Sequence, residues 1–372
     1  MSFPSVNKAD LEPAVRTLVG SPAARVLTWE RSPVAWRVVS EVTGGLHRLS
    51  GTYEDGGTLK PWSLVLKINR RPPGESGEAW RREELAYTSG ILRPQGGFAL
   101  ARCLAVTRPS GDETWLWLED VADEGGDLLG VARHALAARH LGIFNGVHPA
   151  DADTAPPWLL QGWLPELLPL PEPDAATDLV RRPETWQQPR VRRAFPEPVL
   201  ADLERLSAAA PSILAKLAAF PASLCHLDAG RFNLCVRKDA DGNDETVLLD
   251  LQMLTLGPFG SDLAMTNTLN LCRFYVHPDE AAHYDELTLR AYLDGLRDAG
   301  AAFDPLEVRF TYRAAAALRA AAIVRVVVHG LAERGFERSP LLEWGRRWGW
   351  SRDETLTAWG RSVGFLLALG TL

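Results

Sequence analysis

The sequence predicts an α+β fold in two lobes, a small N-terminal lobe built on an antiparallel sheet and a larger, mainly helical C-terminal lobe. Strand-like patterns follow one another between residues 35 and 118, and helix-like patterns dominate from residue 128 to the end. The two patterns meet at an acidic, glycine-containing stretch, residues 123–127. The chain of 372 residues is long enough for two cores. We therefore expect lobes at residues 1–120 and 121–372.

The N-terminal lobe is predicted to hold one helix followed by five strands. Residues 5–28 alternate short apolar groups with charged residues, which is typical of an amphipathic helix outside a sheet. The strands are predicted at residues 36–40, 47–53, 62–68, 103–106 and 115–118. Gly44 and Gly45 form the first predicted turn.

The Gly44-Gly45 turn is a candidate phosphate-binding loop, because glycines let backbone amides approach phosphate oxygens closely. An ordinary hairpin turn explains the two glycines equally well. The sequence contains neither G-x-G-x-x-G nor G-x-x-x-x-G-K-[ST]. Because the second motif forms the phosphate-binding loop of P-loop proteins, its absence excludes a P-loop fold.

Lys67 lies inside an apolar strand, Leu64 to Ile68, where a lysine is seldom buried without a partner. The helix-like segment at residues 78–91 follows and carries Glu83 and Glu84. The alternative for Lys67 is an edge-strand lysine that points to water.

The C-terminal lobe is predicted to be helical around a proline-rich, irregular segment at residues 149–198. Helices are predicted at residues 128–147, 199–220 with a partial break at Pro211, 262–275, 278–299, 305–334 and 353–369. His140, on the first of these, fits a core histidine better than a ligand. Arginines 313, 319 and 325 indicate a solvated or salt-bridged face of the fifth rather than a phosphate site.

The strongest motif lies between Cys225 and Ala264. His226, Asp228 and Asn233 follow the order H-x-D-x-x-x-x-N, and Asp250 ends a later apolar run. Phosphoryl transfer needs an acceptor hydroxyl held in line and magnesium to neutralise the phosphate oxygens. Asp228 suits the role of base, while the Asn233 amide oxygen and the Asp250 carboxylate suit magnesium.

A β-hairpin is predicted over residues 234–249, with its polar turn at residues 239–244. Such a hairpin brings Asn233 and Asp250 together. The competing interpretation is that Asp228 and Asn233 are turn residues bonding to local backbone, and that Asp250 only ends a strand.

The segment resembles the catalytic core of the aminoglycoside phosphotransferase and choline kinase-like family, which has a protein-kinase-like fold. That family usually has H-G-D where this chain has His226-Leu227-Asp228, and an aromatic residue where Leu251 follows Asp250. Both departures keep the oxygen ligands. Asp262-Leu263-Ala264 also resembles the family, in which this aspartate supports the catalytic loop.

The resemblance implies further roles in nucleotide binding. Lys67 matches the lysine that neutralises the α- and β-phosphates, and Glu83 is its implied partner on the next helix. Gly44 and Gly45 fall where the fold places its phosphate-covering loop. Glu119 and Val121 fall at the connection between the lobes, whose backbone groups bond to adenine in this fold.

Composition limits the partners and the location. The formal net charge of −7 gives no basic footprint for nucleic acid and suits a cationic substrate. No signal-like start and no run approaching bilayer length are found, so we expect a cytoplasmic protein without a membrane partner. A zinc site formed by Cys225, His226 and Cys235 would lack a fourth ligand at suitable spacing. Cysteines buried as small apolar side chains explain the pattern better.

The sequence thus predicts a kinase that uses ATP or GTP with Mg²⁺ to phosphorylate a hydroxyl of a small molecule, aminoglycoside-, sugar- or amino-alcohol-like. The alternative is a non-catalytic nucleotide-binding protein on the same fold. Lys67, Asp228, Asn233 and Asp250 together argue against it.

Overall fold

The computed structural model describes residues 5–34, 41–93, 96–150, 155–161, 179–197, 199–333 and 340–371. Its buried apolar side chains form two large cores. One lies between residues 6 and 117, and the other between residues 86 and 367. A small core beside a sheet and a larger core among helices confirm the predicted α+β architecture. The exact boundary at residue 120 stays a prediction.

The strands are short in the C-terminal lobe and long in the N-terminal one. In chain order they are β1 (Arg25–Pro33), β2 (Thr43–Asp55), β3 (Thr58–Arg70), β4 (Phe98–Leu100), β5 (Cys103–Ser110), β6 (Glu113–Glu119), β7 (Pro149–Ala150), β8 (Ala222–Cys225), β9 (Leu234–Lys238), β10 (Asp244–Leu248) and β11 (Thr255–Pro258).

The helices follow the same division. In chain order they are α1 (Lys8–Val19), α2 (Arg82–Thr88), α3 (Val131–Val147), α4 (Pro183–Gln187), α5 (Pro189–Ala194), α6 (Leu200–Ala218), α7 (Ser261–Cys272), α8 (Ala281–Asp298), α9 (Pro305–Glu333), α10 (Pro340–Arg346) and α11 (Arg352–Ala368).

The N-terminal lobe is a five-stranded antiparallel sheet in the order β1-β2-β3-β6-β5. Alternate residues of β3 face its core, where Trp62, Leu64 and Leu66 are buried. Helix α1 covers the same core with its apolar stripe. Position 67 therefore points to the opposite face of the sheet, toward the other lobe.

The start of the sheet differs from the prediction. The expected strand at residues 36–40 lies outside the described residues, and the first described strand is β1, part of which was predicted as helix. Helix α1 ends earlier because Gly20 has a φ of 71°, a left-handed conformation that terminates a helix. The β-branched and aromatic residues after Arg25 then favour a strand.

The predicted turn at Gly44 and Gly45 is wrong. Both glycines lie within β2, where the pairing with β3 shifts register between Thr43 and Gly45. A Cβ on Gly45 would lie 2.8 Å from the Nε2 of His47. Glycine thus serves a strand irregularity here rather than a hairpin turn.

Two small sheets carry the catalytic segment. Strands β9 and β10 form the predicted antiparallel hairpin, and β4 pairs in parallel with β10. Strand β8 lies between β7 and β11 and leads directly into the H-x-D motif. The hairpin prediction is confirmed.

Close helix packing builds the large lobe. Helices α3 and α8 approach so closely that a Cβ on Gly295 would lie 1.9 Å from the Arg139 carbonyl oxygen. His140, also on α3, is buried and bonds to Thr246 at 2.9 Å, which confirms it as a core histidine.

Some helix predictions need correction. Pro211 lies inside a continuous α6. The segment predicted as irregular contains α4 and α5, each of which begins at a proline, a residue favoured at the first helical position. Helix α10 was not predicted.

Helix α9 corrects a further expectation. By length and composition it is apolar enough to cross a membrane, although no run had been expected to approach that size. In its most apolar 18-residue window, 61% is buried inside the molecule. Its alanines at residues 314–317 are fully buried against the neighbouring helices.

Candidate active site

The loop between β8 and β9 carries His226, Asp228 and Asn233. His226 Nε2 bonds to the Leu249 carbonyl at 2.9 Å, and its Nδ1 accepts the Asp228 backbone N–H at 3.1 Å. Both ring nitrogens are therefore occupied in shaping the loop and in joining it to the hairpin. This arrangement leaves His226 no nitrogen for a zinc ion.

Asp262, at the start of α7, supports the loop as predicted. Its two carboxylate oxygens accept the backbone N–H groups of His226 at 2.9 Å and Leu227 at 2.6 Å. Asn145 on α3 donates to the same carboxylate at 2.8 Å. Leu227 has a φ of 59°, a left-handed conformation that explains why the related motif usually has glycine there.

Asp228 and Asn233 contact each other directly. The Asn233 side-chain N–H donates to an Asp228 carboxylate oxygen at 2.7 Å and to its backbone carbonyl at 3.0 Å. Because its nitrogen is used in this way, the Asn233 amide presents its oxygen elsewhere. Burial raises the pKa of Asp228 to about 6, with the Asp250 carboxylate adding to the rise and His226, Arg273 and Arg319 opposing it.

Lys67 joins three elements. Its ammonium lies 2.6 Å from the Glu83 carboxylate on α2 and 2.9 Å from the Asp250 carboxylate. Burial alone lowers the pKa of Lys67, but the two carboxylates outweigh it and raise that pKa above its usual value. The predicted partnership with Glu83 is confirmed, and the edge-strand alternative is wrong because the Lys67 side chain is only 6% exposed.

The pKa values of the two carboxylates beside Lys67 shift in opposite directions. Burial raises the pKa of Glu83, which is completely buried and also faces Asp250. Lys67 outweighs the effect of burial on Asp250 and lowers that pKa. Asp250 also adopts a left-handed backbone with a φ of 58°, and its Oδ1 accepts the Gln252 N–H at 3.2 Å.

The hairpin brings the two proposed metal ligands to one cavity. The Leu249 N–H donates to the Asn233 carbonyl at 2.9 Å, so Asp250 leaves the hairpin beside Asn233. Both side chains line a cavity of about 260 Å³ that also contains Lys67 and Glu83. Its apolar wall comes from both lobes and consists of Val34, Leu46, Val65, Ala101, Leu118, Val121, Phe232 and Leu249.

Of the four other residues predicted to contact nucleotide, two line the cavity and two do not. Glu119 and Val121 line the cavity at the end of β6, where the lobes connect. Gly44 and Gly45 do not line it, although their neighbours Thr43 and Leu46 do. The roles of all four residues in binding stay predictions.

Several residues at the site were missed because their partners are distant in sequence. Arg48 forms a two-point ion pair with Asp120 at the cavity edge, at 2.8 and 3.0 Å. Arg231, inside the catalytic loop, pairs with Asp123 on the lobe connection. The only sequence signal for Arg231 is its place between Asp228 and Asn233.

Two arginines near the site differ from the sequence analysis, which assigned Arg319 to a different environment and gave Arg273 no role. Arg319 was predicted on a solvated or salt-bridged face, but its Nε is buried and has no hydrogen-bond partner among the described residues. The positive charges of Arg273 and Arg319 both act to lower the pKa of Asp228. The guanidinium of Arg273 stacks 3.8 Å above the ring of Phe232.

Comparisons with known proteins concern the family and the fold. The model of the phosphotransferase enzyme family matches residues 52–310, which confirms the predicted resemblance. No curated protein sequence matches the chain.

The fold is similar to that of solved small-molecule kinases. An amicoumacin kinase in complex with AMP-PNP, Ca²⁺ and Ami has a TM-score of 0.51 and 15% identity, over 90% of this chain and 88% of that chain. A choline kinase from Cryptosporidium parvum Iowa II has a TM-score of 0.51 and 12% identity, over 92% and 91%. These similarities confirm the predicted protein-kinase-like fold.

Proposed function

The chain belongs to the phosphotransferase enzyme family, and we propose that it transfers the γ-phosphoryl group of ATP to a hydroxyl of a small molecule. One observation carries the proposal. Lys67, Glu83 and Asp250 form a buried ion cluster at a cavity that Asn233 also lines, and Asn233 bonds to Asp228. In this arrangement the Lys67 ammonium suits the phosphates of a nucleotide, and the Asp228 carboxylate suits the base that accepts the hydroxyl proton.

Nucleotide binding is the first part of the proposal. The apolar wall of the cavity suits a purine ring, and Lys67 supplies a positive charge for the phosphates. The amicoumacin kinase was solved with AMP-PNP, an ATP analogue, and this supports ATP as the phosphoryl donor.

Asp228 is the proposed base. A carboxylate with a pKa of about 6 is mainly ionised at pH 7 to 8, yet is a stronger base than an ordinary aspartate. The acceptor oxygen forms a bond to the γ-phosphorus as the bond to the β–γ bridging oxygen breaks. The hydroxyl proton passes to Asp228, and ADP leaves.

The donor set fits a magnesium ion. Asn233 presents an amide oxygen because its nitrogen bonds to Asp228. Asp250 binds Lys67 and the Gln252 N–H through Oδ1, which leaves Oδ2 for a cation. When bound with nucleotide, Mg²⁺ neutralises charge on the phosphate oxygens. Asn233 and Asp250 would hold it from the protein side.

Thermal unfolding tests the nucleotide site. Millimolar ATP with Mg²⁺ is expected to raise the unfolding midpoint, because a ligand that binds only the native state stabilises it. The rise should need both Mg²⁺ and Asp250 and should be absent in Asp250→Ala. No shift in the wild-type protein at millimolar nucleotide would contradict the proposal.

Turnover separates a kinase from a non-catalytic nucleotide-binding protein. Asp228→Asn should keep the ATP-dependent shift but lose ADP formation by 100-fold or more, roughly the range for removing a general base. If the wild-type protein binds ATP and Mg²⁺ but shows no phosphoryl transfer to water or to any hydroxyl compound, the non-catalytic alternative is supported instead.

A further inference from the structure

The arginines beside Asp228 lie outside the nucleotide cavity. Neither Arg273 nor Arg319 lines that cavity, whereas Phe232 does. Arg273 stacks on Phe232 at 3.8 Å, and Phe232 directly precedes Asn233 in the catalytic loop. Both guanidinium groups also act electrostatically on Asp228, the residue that faces the acceptor hydroxyl in the proposed reaction.

Neither guanidinium forms an ion pair with a carboxylate in the described part of the chain. Arg273 packs its flat face on Phe232 and lies 5.4 Å from the ring of Trp344, and no carboxylate forms an ion pair with it there. Stacking covers the face of a guanidinium but leaves its edge N–H groups available to an anion. The buried Nε of Arg319 is likewise without a protein acceptor among those residues.

Such an arrangement costs stability unless a ligand compensates it. Burial lowers the pKa of Arg273 and the positive charge of Arg319 adds to that effect, whereas the Asp228 carboxylate opposes it. A partly buried cation that forms no ion pair is costly, and the charges of both arginines act on Asp228. Asp228 is a single carboxylate facing two cations, so an anionic ligand would be favourable beside them.

We infer that the acceptor substrate carries an anionic group, a carboxylate or a phosphate, which Arg273 and Arg319 bind while Asp228 faces its hydroxyl. This inference rests on the proposed function and names its substrate class. It disfavours a cationic acceptor, which the net charge of −7 had suited. Charges within a few ångströms outweigh a distributed net charge, which salt screens over about 8–10 Å.

Three small hydroxyl compounds of matched size test the charge preference. Glycerol is neutral, serinol is cationic and D-glycerate is anionic. Each is titrated calorimetrically into the protein loaded with AMP-PNP and Mg²⁺ at constant ionic strength. We expect D-glycerate to bind about tenfold or more tightly than the other two, a typical effect of charge-assisted hydrogen bonds.

Variants assign that preference to the two arginines. Arg273→Gln and Arg319→Gln should each weaken D-glycerate binding about tenfold and leave AMP-PNP affinity within about twofold. Arg309→Gln is the matched control, because Arg309 is an exposed arginine of the same helix, α9. It should behave like the wild-type protein.

The results against the inference are distinct from failure of the proposed function. Equal or stronger binding of glycerol or serinol, no measurable binding of D-glycerate, or unchanged D-glycerate binding in both variants would overturn it. Loss of AMP-PNP binding in the variants would assign the arginines to the nucleotide instead. Absence of AMP-PNP binding by the wild-type protein would contradict the proposed function itself.

Discussion

Asp228 is the residue whose ionisation should control the proposed reaction. Burial raises the pKa of its carboxyl to about 6, and only the ionised form accepts a proton from the acceptor hydroxyl. We predict that kcat/KM for the acceptor rises about tenfold per pH unit below pH 6 and levels off above pH 7. The measurement is ADP formation at saturating ATP and Mg²⁺ between pH 5 and 8.

The neighbouring arginine gives this profile a control. Arg273 opposes the rise in the pKa of Asp228, so Arg273→Gln should move the rising limb to higher pH. A profile that is flat between pH 5 and 8 would contradict the role of Asp228 as base. A limb that does not move in the variant would contradict only the electrostatic contact.

At the residue scale, the sequence predicted those site residues that lie close together in one segment of the chain. His226, Asp228, Asn233 and Asp250 fall in a stretch of 25 residues, so their spacing alone suggested their chemistry. Arg231 pairs with Asp123, more than 100 residues away, and the charge of Arg319 on α9 acts to lower the pKa of Asp228. No local pattern marks such pairs, because the tertiary fold alone brings them together.

At the element scale, the catalytic loop is held through α3 and α8 as well as through α7. The Tyr292 hydroxyl on α8 donates to the Asn145 Oδ1 at 2.7 Å, and the Asn145 side-chain nitrogen in turn donates to Asp262 at 2.8 Å. Tyr292 also accepts the Gly260 N–H at 3.0 Å. Close packing of α3 on α8 is therefore linked to the shape of the loop.

We predict that Gly295→Ala destabilises the protein by about 1–3 kcal/mol, the usual cost of overpacking. A Cβ at residue 295 would lie 1.9 Å from the Arg139 carbonyl oxygen, so α3 and α8 must separate. The better helix propensity of alanine, worth about 1 kcal/mol, offsets only part of this cost. Urea unfolding followed by circular dichroism measures the difference.

Gly364→Ala is the matched substitution in α11. A Cβ there meets no atom within 4 Å, so only the helix propensity changes, and a gain of about 0.5–1 kcal/mol is expected. The packing argument fails if Gly295→Ala is as stable as Gly364→Ala.

The prediction of helices and strands succeeded where the apolar pattern was strong. It failed where a helix begins at a proline or ends at a glycine. The hairpin β9–β10 has apolar strands and an Asp-Gly turn, and it forms as predicted. Helices α4 and α5 were missed because their prolines were taken as loop signals, although proline also begins helices. Strand β1 was missed because the pattern of α1 was extended past Gly20.

At the scale of the whole molecule, buried polar contacts connect the two lobes. Lys67 on β3 reaches Asp250 after the hairpin. Arg82 on α2 donates to the Trp158 carbonyl at 2.9 Å and to the Gln252 carbonyl at 2.5 Å. Helix α2 is thus attached to the catalytic lobe while its Glu83 holds the lysine of the N-terminal sheet. The nucleotide cavity lies where these attachments meet.

We predict that Lys67→Met destabilises the protein by about 3–5 kcal/mol, the usual cost of removing one member of a buried ion pair. Glu83 is fully buried, and burial already raises its pKa above that of an exposed glutamate. Without Lys67 the ionised form of Glu83 becomes still less favourable. The loss of stability should therefore grow as the pH rises from 6 to 8.5, since the unfolded chain keeps Glu83 ionised. Urea unfolding at both pH values measures it.

The double variant Lys67→Met with Glu83→Gln separates stability from activity. Removing the buried charge of Glu83 together with Lys67 should recover much of the lost stability and reduce the added pH dependence, because only Asp250, whose side chain is 28% exposed, then lacks its cation. Phosphoryl transfer should stay absent, since Lys67 would still be missing from the phosphates. Lys60→Met, at an exposed position of the same strand, should change neither property. If the double variant is no more stable than Lys67→Met, an unpaired charge on Glu83 does not explain the loss of stability.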